Sequence, residues 1–310
     1  MGMRPICPLS EKPDYGYVRT VPSSEAGRET GAMQVIETIA AFRQVRSRYT
    51  GLGFVPTMGY LHEGHLSLVR RAKEECGAVA VSIFVNPTQF GPNEDFAGYP
   101  RDPKRDLELL EKEQVDLVFT PSPGEIYPPG STTVVEVGDV TEMLEGAARP
   151  GHFRGVATIV CKLFNIVQAS RAYFGQKDAQ QTVVIAKMVR DLDMSLDVVV
   201  CPTVREPDGL AISSRNVYLT VDERRAAVVL YRALTAAEKH FGAGERSSEA
   251  LRRIMHDTLA TEPQADIEYI SLADRDTLRE LDRVPPRGAL ASLAMRIGKT
   301  RLIDNCILEK

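Results

Sequence analysis

No apolar run in the 310 residues reaches the roughly 18 needed to cross a bilayer, so a helical membrane span is not expected. The five cysteines, Cys7, Cys76, Cys161, Cys201 and Cys306, are scattered, odd in number and without C-x-x-C spacing. That pattern argues against a disulfide framework or a zinc ribbon and for a reducing compartment. Charge of one sign is not in excess either. The 38 Lys and Arg against 42 Asp and Glu leave a net charge of −4, so no global field recruits nucleic acid or an anionic membrane. Residues 1–32 lack the apolar centre of a secretory signal, and Ile6 stands where a myristoylation signal needs Ser or Thr. Rich in Pro, Gly, Ser and charge, this arm is read as disordered or loosely docked. Internal repeats and low-complexity tracts are missing. No Ser/His/Asp or Cys/His arrangement points to covalent catalysis. Gly298-Lys299-Thr300 resembles the end of a Walker loop, but Leu293 occupies the position of the required upstream Gly.

What remains is a soluble globular composition, 43% hydrophobic and 26% charged, on a chain long enough for two domains. Its focus is Phe54 to Arg71, FVPTMGYLHEGHLSLVRR. Gly53-Phe54-Val55 reads as a buried strand that Pro56 stops, because proline offers the ladder no N–H. Gly59 supplies the turn, and the run from Leu61 has helical apolar spacing. His62 and His65 stand three apart and would share a helix face, with Gly64 between them leaving room for a ligand. A helix N-terminus presents free N–H groups and partial positive charge to a phosphate. Two imidazoles on that turn suit the α-phosphate of ATP. A metal-binding pair or a merely polar helix start stays open for the same residues, although H-E-x-x-H spacing is one residue short here.

In chain order, Gln34 to Arg48 reads as an amphipathic helix and Val79 to Val85 as a strand covered on both faces. Asn86 and Gln89 follow at its carboxyl end, where open α/β sheets bind ligands; a turn satisfying its own backbone is the alternative. Pro103 to Gln114 reads as a helix, and Asp116 to Thr120 and Thr132 to Val137 as strands. A helix spans Val156 to Val167, with His152 and Arg154 at its start as either anion ligands or solvated caps. The strand Arg171 to Phe174 leads to Lys177 and the helix Ala179 to Val189, where Asp178 and Gln181 match a capping box. Lys177 opposes the helix dipole there and is expected to meet an anion. Asp197 to Cys201 is the last strand of this pattern. The loop Ile212-Ser213-Ser214-Arg215 can fold over a triphosphate, or be a solvated turn. Helices over Val221 to Phe241 and Ser247 to Leu259 then precede strands at Asp266 to Ser271, Ala289 to Ile297 and Arg301 to Leu308. The expected fold class is α/β: a Rossmann-like parallel sheet domain over 33–203, then a smaller α+β lid domain over 204–310.

Taken together, PTMGYLHEGH (Pro56–His65), SIFVNPTQF (Ser82–Phe90), YPR (Tyr99–Arg101), HFRGV (His152–Val156), YFGQKDAQQ (Tyr173–Gln181), PTVRE (Pro202–Glu206), ISSRN (Ile212–Asn216) and TRLIDN (Thr300–Asn305) resemble the pantoate–β-alanine ligase family. The H-x-G-H tetrad alone is similar only to the wider nucleotidyltransferase superfamily. The resemblance implies ATP-dependent ligation through an acyl adenylate, with pantoate, β-alanine and ATP as substrates, Mg²⁺ carried by ATP, and a cytoplasmic homodimer. It implies His65, His62, Lys177 and Arg215 as catalytic residues. It implies ATP contacts from Pro56, Met58, Gly59, Tyr60, Leu61, His62, Glu63, Gly64 and His65, from Gly175, Gln176, Lys177 and Asp178, from Val204, and from Ile212, Ser213, Ser214 and Arg215. Gln89 and Gln181 are implied for pantoate, with Asn86 and Tyr99 beside it. Ile212 departs from the Met frequent in the family, without loss of apolar character. A nucleotidyltransferase with a phosphorylated acceptor would want more cations than the neutral Gln89 and Gln181. A non-catalytic nucleotide sensor would have little use for His65, Lys177 and Arg215 together.

Overall fold

The computed structural model describes residues 18–20, 32–92 and 94–309. Seven strands form the first sheet: β1 (Val18–Thr20), β2 (Gln34–Ile36), β3 (Gly53–Thr57), β4 (Val79–Ile83), β5 (Leu117–Phe119), β6 (Arg171–Gly175) and β7 (Asp197–Cys201). Their order is β1-β2-β5-β4-β3-β6-β7. Neighbours are parallel throughout, save for the antiparallel edge strand β1. Seven helices follow the same stretch of chain: α1 (Ile39–Arg46), α2 (Glu63–Cys76), α3 (Pro103–Lys112), α4 (Pro123–Ile126), α5 (Glu145–Ala148), α6 (His152–Val167) and α7 (Ala179–Asp191).

Side-chain alternation along each strand sends neighbouring residues into separate cores. Phe54, Ala80, Leu117 and Phe119 pack with α1, α6 and α7. Val55, Val79, Val81 and Val118 pack with α2 and α3. Both faces are covered, which is why these strands are apolar almost without interruption. The second unit runs from α8 (Val221–Ala226) through α9 (Val229–Gly242) and α10 (Ser248–Leu259) to β8 (Ala265–Ala273), β9 (Ala289–Ile297) and β10 (Thr300–Leu308). These strands form an antiparallel sheet in the order β10-β9-β8, and its own core holds Leu234, Leu251, Leu293 and Met295. The molecule is thus α/β with two domains.

One detail of β3 opens the site. Its ladder with β4 runs from Gly53 to Thr57, but its ladder with β6 stops at Phe54. Pro56 has no N–H to extend the β6 side, so β3 and β6 part at their carboxyl ends. The sheet changes winding direction here, and a crevice forms. Pro56 therefore ends one ladder and not the other, where the sequence suggested an end to the strand.

Other expectations are corrected. Gln34 to Arg48 is not one helix. Gln34–Ile36 is a strand paired with β5, and α1 starts only after Thr38, whose Oγ1 accepts the Ala41 N–H at 3.3 Å. Val35, Ile36, Ile39 and Phe42 happen to fit a helical period as well as a strand followed by a helix. Thr132 to Val137 forms no strand; Val135 is tied instead by its N–H to Thr158 Oγ1, at 2.9 Å. Val221 to Phe241 breaks into α8 and α9 at a turn that neither Gly nor Pro marks. Val79 to Val85 is a strand only to Ile83, and α6 begins four residues early, at His152. Apart from β1, the arm 1–32 expected to be disordered or loosely docked lies almost wholly outside the described residues.

Candidate active site

The turn after β3 is fastened before it bears any chemistry. Gly59 takes φ +81°, and a Cβ there would lie 3.0 Å from Asp106 Oδ2 and from the Ile83 side chain. The buried Asp106 carboxylate accepts the Tyr60 and Leu61 N–H groups, each at 2.7 Å, while Arg105 Nη1 donates to Leu61 O at 2.9 Å. Burial pushes the Asp106 carboxyl up against the pull of those two N–H groups. The turn hands the chain to α2 with His62 as its N-cap, not within the helix as the spacing suggested. The His62 N–H donates to His65 Nδ1 at 3.3 Å, and the two rings lie 4.0 Å apart between centroids. Gly64 makes this possible, since a Cβ there would stand 3.0 Å from the His62 ring.

Desolvation, aided by the Lys177 ammonium, lowers the pKa of His62 to about 4. Desolvation, with His62 and then Lys177 adding to it, holds His65 well below the usual imidazole range. Both rings are therefore neutral at pH 7. Because Nδ1 of His65 accepts a bond, its proton sits on Nε2, and the neutral ring remains a donor.

The crevice between β3 and β6 encloses about 230 Å³. From the β3 turn it is lined by Pro56, Met58, His62, Gly64 and His65, and from the segment after β4 by Asn86, Gln89 and Tyr99. Gly175, Lys177, Asp178 and Gln181 reach it from the β6–α7 junction, with Val204 and Ile212 through Arg215 from the chain between β7 and α8. Lys177, Asp178, Ser213 and Arg215 also border a wider cleft of about 580 Å³ between the domains. Of the expected ATP contacts, five lie outside the crevice lining. Gly59 and Tyr60 face a separate apolar cavity behind the turn, and Leu61 is buried in the core. The Glu63 side chain pairs with Arg70, and that of Gln176 bonds Asn305.

Among the described residues Lys177 meets only Asp178, at 3.6 Å, so its ammonium is weakly partnered at the crevice wall. Its backbone is fixed from the second domain: Asn305 on β10 donates from Nδ2 to the carbonyls of Gln176 and Lys177, at 3.0 and 2.9 Å. Asp178 occupies the N-cap of α7 without a capping side-chain bond, which corrects the expected capping box. A 3₁₀ turn over Gln176–Asp178 precedes the helix, and the carboxylate stands next to Lys177 instead.

Where the segment after β4 meets the crevice, Asn86 is wholly engaged. Its Nδ2 donates to Gln89 Oε1 (3.0 Å) and Gly155 O (3.2 Å), and its Oδ1 accepts from Tyr127 (2.9 Å) and Thr88 (2.9 Å). Among the described residues Gln89 Nε2 has only the Met58 sulfur, at 3.2 Å. His152 and Arg154 part company: His152 lines the crevice, while Arg154 is exposed. His152 Nδ1–H donates to Gln89 O at 2.9 Å, and Nε2 accepts from Arg149 Nη1 at 3.0 Å. Burial and then the Arg149 charge lower its pKa to about 4. Arg149 is forked onto Glu94 through two bonds of 2.7 Å. Sequence reasoning missed Asp106, Arg149, Glu94 and Asp95. Asp106 looked like an ordinary acid in a helix's first turn; the others are isolated charges in loops.

A doubly wound sheet that turns two imidazoles, a lysine and an arginine toward one crevice defines an α/β enzyme that handles nucleotides. A model of the family described as Pantoate-beta-alanine ligase matches residues 34–307, and the chain belongs to that family. It is 64% identical over 276 residues to the pantothenate synthetase of Chloroflexus aggregans, covering 89% of this chain and all of that protein. It is 64% identical over 278 residues to that of Roseiflexus castenholzii, again covering 89% of this chain and all of the relative. The crystal structure of pantothenate synthetase from Thermus thermophilus superposes with TM-score 0.86 at 48% identity, over 89% of this chain and 99% of that one. Pantoate-beta-alanine ligase from Francisella tularensis, solved with beta-gamma ATP and beta-alanine, matches with TM-score 0.74 at 38% identity, over 90% and 99% of the two chains.

Proposed function

We propose that the chain activates pantoate with ATP and transfers the acyl group to β-alanine, making pantothenate, AMP and pyrophosphate. A pantoate carboxylate oxygen attacks the α-phosphorus, and the bond from that phosphorus to the bridging oxygen of pyrophosphate breaks. The β-alanine nitrogen then attacks the acyl carbon, loses a proton, and the carbon–oxygen bond to AMP breaks. ATP lies along Pro56, Met58, His62, Gly64 and His65 and along Gly175, Lys177 and Asp178, with the Val204 backbone at its base and Ile212–Arg215 over its phosphates. His65 donates from Nε2 to the α-phosphate, His62 lies beside it, and Lys177 and Arg215 offset the charge gathering on pyrophosphate. Gln89 and Gln181 hold pantoate, flanked by Asn86 and Tyr99. Mg²⁺ fits this scheme as a partner of the ATP oxygens. Among the described residues no three metal-ligating side chains converge to hold it. Bound there, it would add positive charge at the phosphates.

The observation that carries this reading is the meeting of His65, Lys177 and Arg215 with the neutral Gln89 and Gln181 in one crevice. Cations for phosphates stand beside uncharged donors and acceptors for a hydroxy acid, as adenylation of an acid requires. Residues 33–203 and 204–310 are proposed as the binding and lid domains, supported by the separate core that starts at Leu210. A homodimer and a cytoplasmic location belong to the same reading. The free thiols of Cys76, Cys161, Cys201 and Cys306 suit the latter, and no helix of the described residues is long and apolar enough to cross a membrane.

Incubating the protein with Mg-ATP and pantoate, and assaying pyrophosphate with and without β-alanine, tests the scheme. Pyrophosphate should form without the amine, and AMP should be released only with it. His65→Ala should keep the fold, by circular dichroism, and slow turnover by about 10²- to 10⁴-fold. Turnover within threefold of the parent would remove His65 from the chemistry.

A further inference from the structure

We propose that Asp95 is the positioning residue for Arg215 in adenylate formation: it grips one edge of the guanidinium and leaves the other to the phosphates. The inference rests on the function proposed above. Arg215 Nε donates to Asp95 Oδ2 at 3.2 Å, and Nη2 donates to Oδ1 at 3.0 Å. This is a side-on fork, which sets the plane of the guanidinium as well as its distance. Among the described residues Nη1 meets no protein acceptor, so both of its N–H groups stay available. Asp95 and Arg215 both line the interdomain cleft beside Lys177.

The surrounding contacts hold the same geometry. The Arg215 guanidinium carbon sits 5.9 Å from the centroid of the Tyr99 ring, and Tyr218 OH donates to Gly98 O at 3.0 Å. The turn that carries Arg215 is thereby laid against the segment that carries Asp95. Asp95 caps no helix and, among the described residues, accepts from no donor other than Arg215. Its carboxylate puts negative charge beside a triphosphate, which opposes ATP binding, so ground-state affinity is a poor reason for it. Orientation of a long, flexible cation is the task the geometry fits.

The test follows pyrophosphate release from Mg-ATP and pantoate by the full chain. Asp95→Asn should lower kcat by about 10- to 100-fold, with the KM for ATP within about threefold of the parent and the melting temperature within about 2 °C. Asp95→Glu should recover part of the loss. The pair of changes Asp95→Asn and Arg215→Gln together should be no slower than Arg215→Gln alone. A kcat within twofold of the parent for Asp95→Asn overturns this role alone. So does an unchanged kcat with a lower KM for ATP, which would make Asp95 a competitor of phosphate. A parent chain that releases no pyrophosphate overturns both this role and the proposed function.

Discussion

At His65, one accepted hydrogen bond decides what the ring can offer. With Nδ1 occupied by the His62 N–H, the neutral imidazole donates from Nε2 and needs no extra proton to reach a phosphate oxygen. The cost of such rings is acid sensitivity. His62 and His152 have pKa values near 4 in the fold, against 6.5 when exposed. Above pH 6.5 they are neutral in both states and contribute nothing. As pH falls from 6.5 to about 4, the unfolded chain takes up protons that the folded chain refuses, so stability drops across that window and levels off below it. At about 1.4 kcal/mol per pH unit, each ring accounts for at most ~3 kcal/mol. Urea midpoints should fall steadily between pH 6.5 and 4, and less steeply in His152→Asn. A midpoint flat over that range would show the rings to be solvated. The sequence brought the two histidines together on one turn, and there they stand. Their tautomer was not legible, because it depends on His62 standing outside the helix.

At the level of elements, α6 and the turn after β4 approach each other closely beside the crevice. A Cβ on Gly155 would come within 2.4 Å of Thr88 O and 2.7 Å of Gln89 Cα. Neither is a flexible side-chain end, so the helix or the turn must shift. Gly155→Ala should cost about 1–3 kcal/mol in urea unfolding and raise the KM for pantoate, because the turn that moves holds Asn86 and Gln89. An unchanged KM with lower stability would place the turn outside the pantoate site. The sequence announced both elements, through an apolar run and a helical period. Their contact was hidden, since Gly155 read as the end of a loop before a helix that in fact starts at His152. Pro56 was read as punctuation, yet its effect depends on which neighbouring strand it faces, and strand order is not written in a local pattern. Glu94 and Asp95 were silent for the same reason: Asp95 and Arg215 are 120 residues apart.

Over the whole molecule, charge pairs join the two domains. Glu145 accepts Arg301 Nη1 and Nη2 at 2.6 and 2.8 Å, and Tyr269 OH at 2.8 Å. The Glu145 side chain is 9% exposed, and Arg301 keeps a second partner in Glu268, at 2.7 Å. Loss of one carboxylate therefore leaves the arginine half-compensated. Glu145→Gln should lower unfolding free energy by about 2–3 kcal/mol, below the roughly 3–5 kcal/mol typical of an orphaned buried charge. A loss under about 0.5 kcal/mol in urea titration would show that this link does not hold the domains. The two-domain plan was readable from the change of pattern after Cys201, whereas the links across it were not.

The bond from Asn305 to the Lys177 carbonyl spans 128 residues of chain. During synthesis at about 5–20 residues per second, roughly 6 to 26 s separate the two as they leave the ribosome. Through that interval the nascent sheet can already fold, but the strand that fixes Lys177 has yet to be made. A half-built polypeptide thus carries this lysine on a crevice wall that nothing yet anchors from beyond.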